Sequence, residues 1–325
     1  MRHSLRISAL LSAVALVLAA ATGCGDSDSS SGSGNLEKDT IKVAALPVAD
    51  SAGLYIAQKE KLFEAEGLKV QVVPTQKSIE AMPALTKGEV DLVCPNYVNF
   101  LQAHEKGTLK LSIVAEAATM APNLMNVLVM PNSDIKTAKD LEGKKVAVNL
   151  LNNIQSLTLN AILEANNVDY KKVQYVSVPF PQMATALEKG QVDAVHINEP
   201  FLSDAVKTLG ARVVVDGGSE PVNGLAISGY VSTQEWVKKY PKTAAAFQRA
   251  MLKAQKLAAE DRKNVEAVLP GYSKMDPKVA SVITLPGYPA SVSKSRIEQV
   301  VDLMVSGGLL KEKPDVDSIV FQPTA

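Results

Sequence analysis

The decapeptide ALTKGEVDLV, which starts at Ala84, returns 102 residues later as ALEKGQVDAV, which starts at Ala186, with seven of its ten positions unchanged. A shorter echo keeps almost the same offset: Lys42-Val43-Ala44 recurs as Lys145-Val146-Ala147. Two echoes in register describe a chain built from two similar units. Each copy has the same physical content. A helix ends at Lys-Gly, where glycine takes the left-handed conformation past the last turn and lysine sits at the negative helix end. Val-Asp-x-Val then enters a short apolar strand. A loop rich in Asn, Pro and aromatics follows, Pro95-Asn96-Tyr97 in one copy and Asn198-Glu199-Pro200-Phe201 in the other. Open α/β sheets bind ligands at loops past the carboxyl ends of their strands.

Ahead of these units, Arg2, His3 and Arg6 precede an uncharged apolar run from Ile7 to Thr22. The run is shorter than the ~20 residues of a spanning helix, so residues 1–23 read as a secretory signal. Ala21-Thr22-Gly23 leads directly into Cys24, which resembles a bacterial lipobox with Ala21 where Leu is usual. That resemblance implies cleavage before Cys24 and its lipidation. Residues 24–40 then form a Ser/Gly-rich tether that can bury no apolar face. The expected location is extracytoplasmic, on the outer face of the cytoplasmic membrane, held by lipidated Cys24 alone.

The rest is long for one core and suits two lobes. Without Arg2 and Arg6 the chain holds 32 basic and 34 acidic residues, a balance that argues against a nucleic-acid partner. Cys94 is the one thiol left after Cys24, so no internal disulfide is expected.

Strand and helix patterns alternate along the folded part. Strands are expected over 41–46, 69–73, 109–117, 126–130, 146–148, 174–178, 192–197, 212–215 and 225–232. Such alternation gives a mainly parallel sheet in each lobe. Lobe 1 takes 41–120 and 224–325, lobe 2 takes 121–223, and the two crossings form a hinge beside a cleft.

Ala52-Gly53-Leu54-Tyr55-Ile56-Ala57-Gln58, Leu62 to Leu68, Asp140 to Val148, Gly190-Gln191-Val192-Asp193-Ala194, Glu199-Pro200-Phe201 and the segment from Tyr240 to Ala254 follow one another along the chain. The ordered set resembles the nitrate/sulfonate/taurine-type (SsuA/THI5-like, NMT1-like) substrate-binding proteins of ABC transporters. The resemblance spans about residues 40–305. It implies a two-lobed periplasmic-binding-protein fold of type II and a monomeric receptor that closes on a small solute and passes it to ABC permease subunits. It does not fix the solute. Other readings stay open: a receptor for a thiamin-precursor pyrimidine or another heteroaromatic, and, from other classes, a pyrimidine-synthase-like enzyme or the ligand module of a sensor. The enzymes of that fold carry a Cys-rich iron-binding stretch where this chain has only Cys94.

The cleft loops are expected at 47–51, 95–99, 119–123, 149–156, 180–182, 198–201 and 223–224. None contains Lys or Arg. Candidate ligand contacts are Asp50, Asn96, Tyr97, Thr119, Asn152, Asn153, Gln155, Ser156, Phe180, Asn198, Glu199, Phe201 and Asn223. The amides and hydroxyls donate and accept hydrogen bonds, and the aromatics cover apolar or planar surface. A loop set without cations favours a zwitterionic, cationic or neutral organic ligand, sulfonate/taurine-like or nitrogen-containing, over a bare inorganic anion. Asp50 and Glu199 have a second reading as helix caps. Asp91, Asp193 and His196 read as structural. No phosphate loop or HExxH motif occurs, and three His, one of them in the signal, support no triad or metal cluster. No catalytic residue, cofactor or metal is expected.

Overall fold

A computed structural model of the chain describes residues 36–323. The signal segment, Cys24 and the Ser/Gly part of the tether lie outside the described residues. Among the described residues, ten strands make two five-stranded sheets. The first contains β1 (Thr40–Ala45), β2 (Lys69–Pro74), β3 (Leu92–Cys94), β4 (Leu111–Thr119) and β10 (Ala226–Thr233), in the order β2-β1-β3-β10-β4. The second contains β5 (Met125–Val129), β6 (Lys145–Val148), β7 (Gln174–Ser177), β8 (Ala194–Asn198) and β9 (Arg212–Asp216), in the order β7-β6-β8-β5-β9.

The two sheets have one topology. In each, three strands run parallel, and the fourth runs antiparallel to both its neighbours. That fourth strand, β10 or β5, is the one the chain enters straight after crossing from the other sheet. The sequence echoes fall on equivalent places, β1 with β6 and β3 with β8. Even their hydrogen bonds repeat. Asp91 donates its N–H to the Lys42 carbonyl at 2.8 Å and takes the Lys42 N–H on its carboxylate at 2.9 Å. Asp193 does the same with Lys145, at 2.9 and 2.7 Å. The repeated Val-Asp is therefore a strand-pairing device. The preceding glycines are left-handed, Gly88 with φ 72° and Gly190 with φ 64°, and in each copy the next N–H bonds back to the helix at Ala84 or Ala186.

Burial is deepest in the inner strands, although β4, at a sheet edge, is also buried up to Thr119. The central strands β3, β5 and β8 are buried throughout, while edge strands β2 and β7 are partly exposed along their length. This is the pattern of sheets covered by helices on both faces. The chain crosses between sheets at residues 120–124 and again at 217–225. The crossings lie side by side: the Met120 N–H donates to the Leu225 carbonyl at 2.8 Å, and the Gly224 N–H donates to the Met120 carbonyl at 2.9 Å.

Three local readings are corrected by the fold. Residues 180–182 are not a loop: the helix Phe180–Glu188 starts there, with Pro181 in its first turn. Asp50 caps no helix, because it sits inside a one-turn helix, Ala49–Ser51, that runs straight into the helix Ala52–Lys59. Tyr97 is the first residue of the helix Tyr97–Glu105, and its ring turns into the core.

Candidate functional site

A cavity of about 50 Å³ lies between the two sheets, smaller than the ~300–1,000 Å³ usual for small-molecule sites, so a ligand must widen it. Its walls come from residues just past the carboxyl ends of the parallel strands: Leu46, Val48 and Asp50 after β1, Pro95 and Asn96 after β3, and Asn149 after β6. Asn198, the last residue of β8, joins them.

Two features position the second-sheet wall. Asn153 caps the helix Ile154–Ala165, accepting the Gln155 N–H at 3.2 Å, and Ser156 completes the cap against the Asn153 backbone. Gln155 faces inward and braces the loop. Its Oε1 accepts the Asn149 N–H at 2.6 Å, and its Nε2 donates to the His196 carbonyl. Both polar ends of Gln155 are thus committed within the protein.

Asp50 is the centre of the first-sheet wall and is buried. One carboxylate oxygen accepts from Ser228 Oγ at 2.9 Å, the other from Asn198 Nδ2 at 3.2 Å. The second bond joins the sheets across the cavity. Desolvation raises the Asp50 carboxyl above the usual carboxylate range, and the bonds from Ser228 and Asn198 offset only part of that. Behind it, Tyr272 Oη donates to the Val48 carbonyl at 3.1 Å and Tyr288 Oη to the Ala49 carbonyl at 3.0 Å. These two phenols fix the backbone that carries Asp50. Cys94 lies nearby in the wall, and burial pushes its thiol up to about 12, so it stays a neutral thiol.

Of the thirteen residues singled out from sequence, six line this cavity: Asp50, Asn96, Asn153, Gln155, Phe180 and Asn198. The structure places the other seven elsewhere. Tyr97 is fully buried beneath Gly229, where any side chain on that glycine would strike the phenol. Thr119 ends β4 and pairs with Gly287. Asn152 is an exposed turn residue at φ 52°. Ser156 completes the helix cap. Phe201 stacks on the back of Phe180 with ring centroids 5.9 Å apart. Asn223 is exposed on the second crossing, bonded to Glu220. Glu199 is buried, but its carboxylate accepts the N–H and hydroxyl of Ser203 at 3.1 and 2.7 Å, in the first turn of the helix Phe201–Leu209. Of its two readings, that geometry matches the helix-end one.

Sequence reasoning missed four polar wall residues: Ser51, Ser78, Asn149 and Ser228. Ser51 and Asn149 stand in loops already marked as cleft loops. Ser228 carries no sequence signal. It lies at a register irregularity of β10 against β4, and such bulges re-aim side chains. The His196 ring is buried with no hydrogen-bond partner for either nitrogen among the described residues, and burial lowers it to about 4. It packs against Gly217 and takes no part in the wall.

The NMT1/THI5-like pattern matches residues 48–264, two thirds of the chain. The chain belongs to the NMT1/THI5-like family. A relative from Escherichia coli (strain K12), named as an aliphatic sulfonates-binding protein, is 25% identical over 283 residues, which is 84% of this chain and 86% of the relative. Among solved structures, the alkanesulfonate-binding protein SsuA from Xanthomonas axonopodis pv. citri, bound to MOPS, superposes with a TM-score of 0.74 at 20% identity. It covers 87% of this chain and 98% of its own. The periplasmic nitrate-binding protein NrtA from Synechocystis PCC 6803 superposes with a TM-score of 0.75 at 17% identity, over 88% of this chain and 86% of its own. The architecture of this NMT1/THI5-like chain is accordingly the periplasmic-binding-protein fold, as its sequence pattern implied.

Proposed function

We propose that this chain is the extracytoplasmic receptor of an ABC importer, which holds a small organic compound between its two sheets and closes on it by hinge motion. The observation that carries this reading is the cavity itself. Both sheets contribute strand-end loops to it, and among the described residues only 120–124 and 217–225 connect them. A motion about those paired crossings would open the cavity with little change within either sheet. Lobe 1 is then 41–120 with 224–325, and lobe 2 is 121–223. The sulfonate- and nitrate-binding relatives support the receptor class, and permease subunits are its expected partners. On this reading the chain is a non-enzymatic monomer, and the thiol, carboxyl and amides of its cavity walls serve binding.

The test is ligand-dependent stability together with shape. A true ligand present at 100 times its dissociation constant should stabilise the fold by about 2.7 kcal/mol. For a protein of this size that is a melting shift of roughly 5–10 °C. X-ray scattering should show a smaller radius of gyration with the same compound. A compound that binds in this cavity and leaves the radius unchanged would remove the hinge.

The anchor belongs to the same reading, since a receptor tethered by lipidated Cys24 stays beside its permease. Protein expressed in a lipoprotein-processing bacterium should partition with detergent, and Cys24→Ser should move it to the aqueous phase. Partition of the variant with detergent would discard the anchor.

A further inference from the structure

The receptor reading leaves the chemical class of the ligand open, and the charge inside the cavity narrows it. Asp50 is the one carboxyl group in the wall, and no Lys, Arg or His joins it there. The carboxylate is buried, and each oxygen accepts one protein hydrogen bond, from Ser228 and from Asn198. An ionised carboxylate has about four acceptor positions, so roughly half its capacity is unspent.

Lys77 reaches Ser177 Oγ at 3.4 Å and Lys207 pairs with Asp276 at 3.1 Å, and neither lysine lines the cavity. Tyr272 and Tyr288 hold the carbonyls of Val48 and Ala49, which fixes the backbone from which Asp50 projects. A buried carboxylate without a cation is costly, and a positively charged or N–H-bearing partner relieves that cost. A bare anion in the same space meets a like charge and no compensating cation.

We propose that the ligand of this cavity presents a protonated nitrogen or a paired N–H donor, of the amine or amidine kind, to the carboxylate of Asp50. The inference rests on the receptor reading and adds the ligand class to it. Asn96, Asn149 and Ser78 then serve the remaining polar atoms of the ligand, while Phe180, Val48 and Ile154 cover its apolar part. Sulfonate or nitrate groups bind here only when the same molecule also carries the nitrogen that meets Asp50. In this respect the chain departs from what its sulfonate- and nitrate-binding relatives are named for.

The full chain is to be screened by thermal shift and calorimetry against three sets of small compounds. One holds alkylamines, amidines and amino-heterocycles, the second uncharged polyols, and the third alkanesulfonates, carboxylates and nitrate without N–H donors. Taurine against isethionate gives a matched pair, the same sulfonate with and without the ammonium. Stabilising compounds should come from the first set, and taurine should not bind more weakly than isethionate. Asp50→Asn should weaken the tightest compound at least tenfold. If that variant does not fold, the screen of the unsubstituted chain decides by itself. A tightest compound that is an anion without N–H donors overturns the inference and leaves the receptor standing. An unchanged affinity in Asp50→Asn also overturns it, since Asp50 would then act as a neutral acid. No stabilisation by any set overturns the receptor reading and this inference with it.

Discussion

Arg296→Met should lower the melting temperature by roughly 6–12 °C. The Arg296 guanidinium grips Glu116 with two bonds of 2.9 Å, and Glu116 is fully buried in β4. The Ser293 N–H adds a third bond to the same carboxylate, at the start of the helix Lys294–Ser306. The pair therefore ties that C-terminal helix to the strand that leads into the first crossing. Removing one member of a buried ion pair costs about 3–5 kcal/mol, because the remaining charge is stranded. Arg296 is 29% exposed, so water reaches part of the site and the lower end, about 3 kcal/mol, is expected.

Adding Glu116→Gln should recover at least half of the loss, since the buried group is then neutral and still accepts the Ser293 N–H. Urea unfolding of the parent, Arg296→Met, Glu116→Gln and the double variant decides. A deficit below ~1 kcal/mol would reduce the pair to a solvent-screened contact.

Gly218→Ala should cost about 3 kcal/mol, from a single added methyl group. A Cβ on Gly218 would lie 1.9 Å from the Ala121 carbonyl oxygen and 3.2 Å from Pro122 Cα, and both are backbone atoms of the other crossing. Backbone cannot swing aside as a flexible side chain does, so one crossing must shift. Gly271→Ala is the control. It lies in the helix Leu269–Ser273 with nothing within 4 Å of the added carbon, and it should gain up to ~1 kcal/mol from reduced freedom of the unfolded chain. If the crossings are the hinge, Gly218→Ala should also change the affinity for a true ligand, while Gly271→Ala should not. A Gly218→Ala protein within ~0.5 kcal/mol of the parent would mean that the crossings are loosely packed.

Much of the site was out of reach of the sequence, and the reason differs from residue to residue. Loop membership is local, so the loops containing Asp50, Asn96, Asn149, Asn153 and Asn198 are readable from the sequence. Direction within a loop is not local. Tyr97 and Asn96 are adjacent, yet one lies under Gly229 and the other faces the cavity, because a helix starts between them. Asn152 and Asn153 divide the same way, one in a turn and one on a helix cap. For Glu199 the competing ligand was Ser203, four residues on, and its two bonds there are local enough that a helix-end role was already in view.

What the sequence determined by itself was repetition and its local consequences. The two decapeptides fold to equivalent strands because the left-handed glycine, the helix end and the Asp-to-strand bond all depend on residues close in the chain or in the same parallel unit. The two-sheet architecture follows from that repetition. Only the tertiary structure decided the chemistry of the cavity. Asp50 meets Asn198 and Ser228, 148 and 178 residues away, and Ser228 is re-aimed by an irregularity in an antiparallel strand that arrives after the second crossing. No periodicity encodes such a meeting, because it depends on how two separately ordered sheets are brought together, and that is set by packing across the crossings.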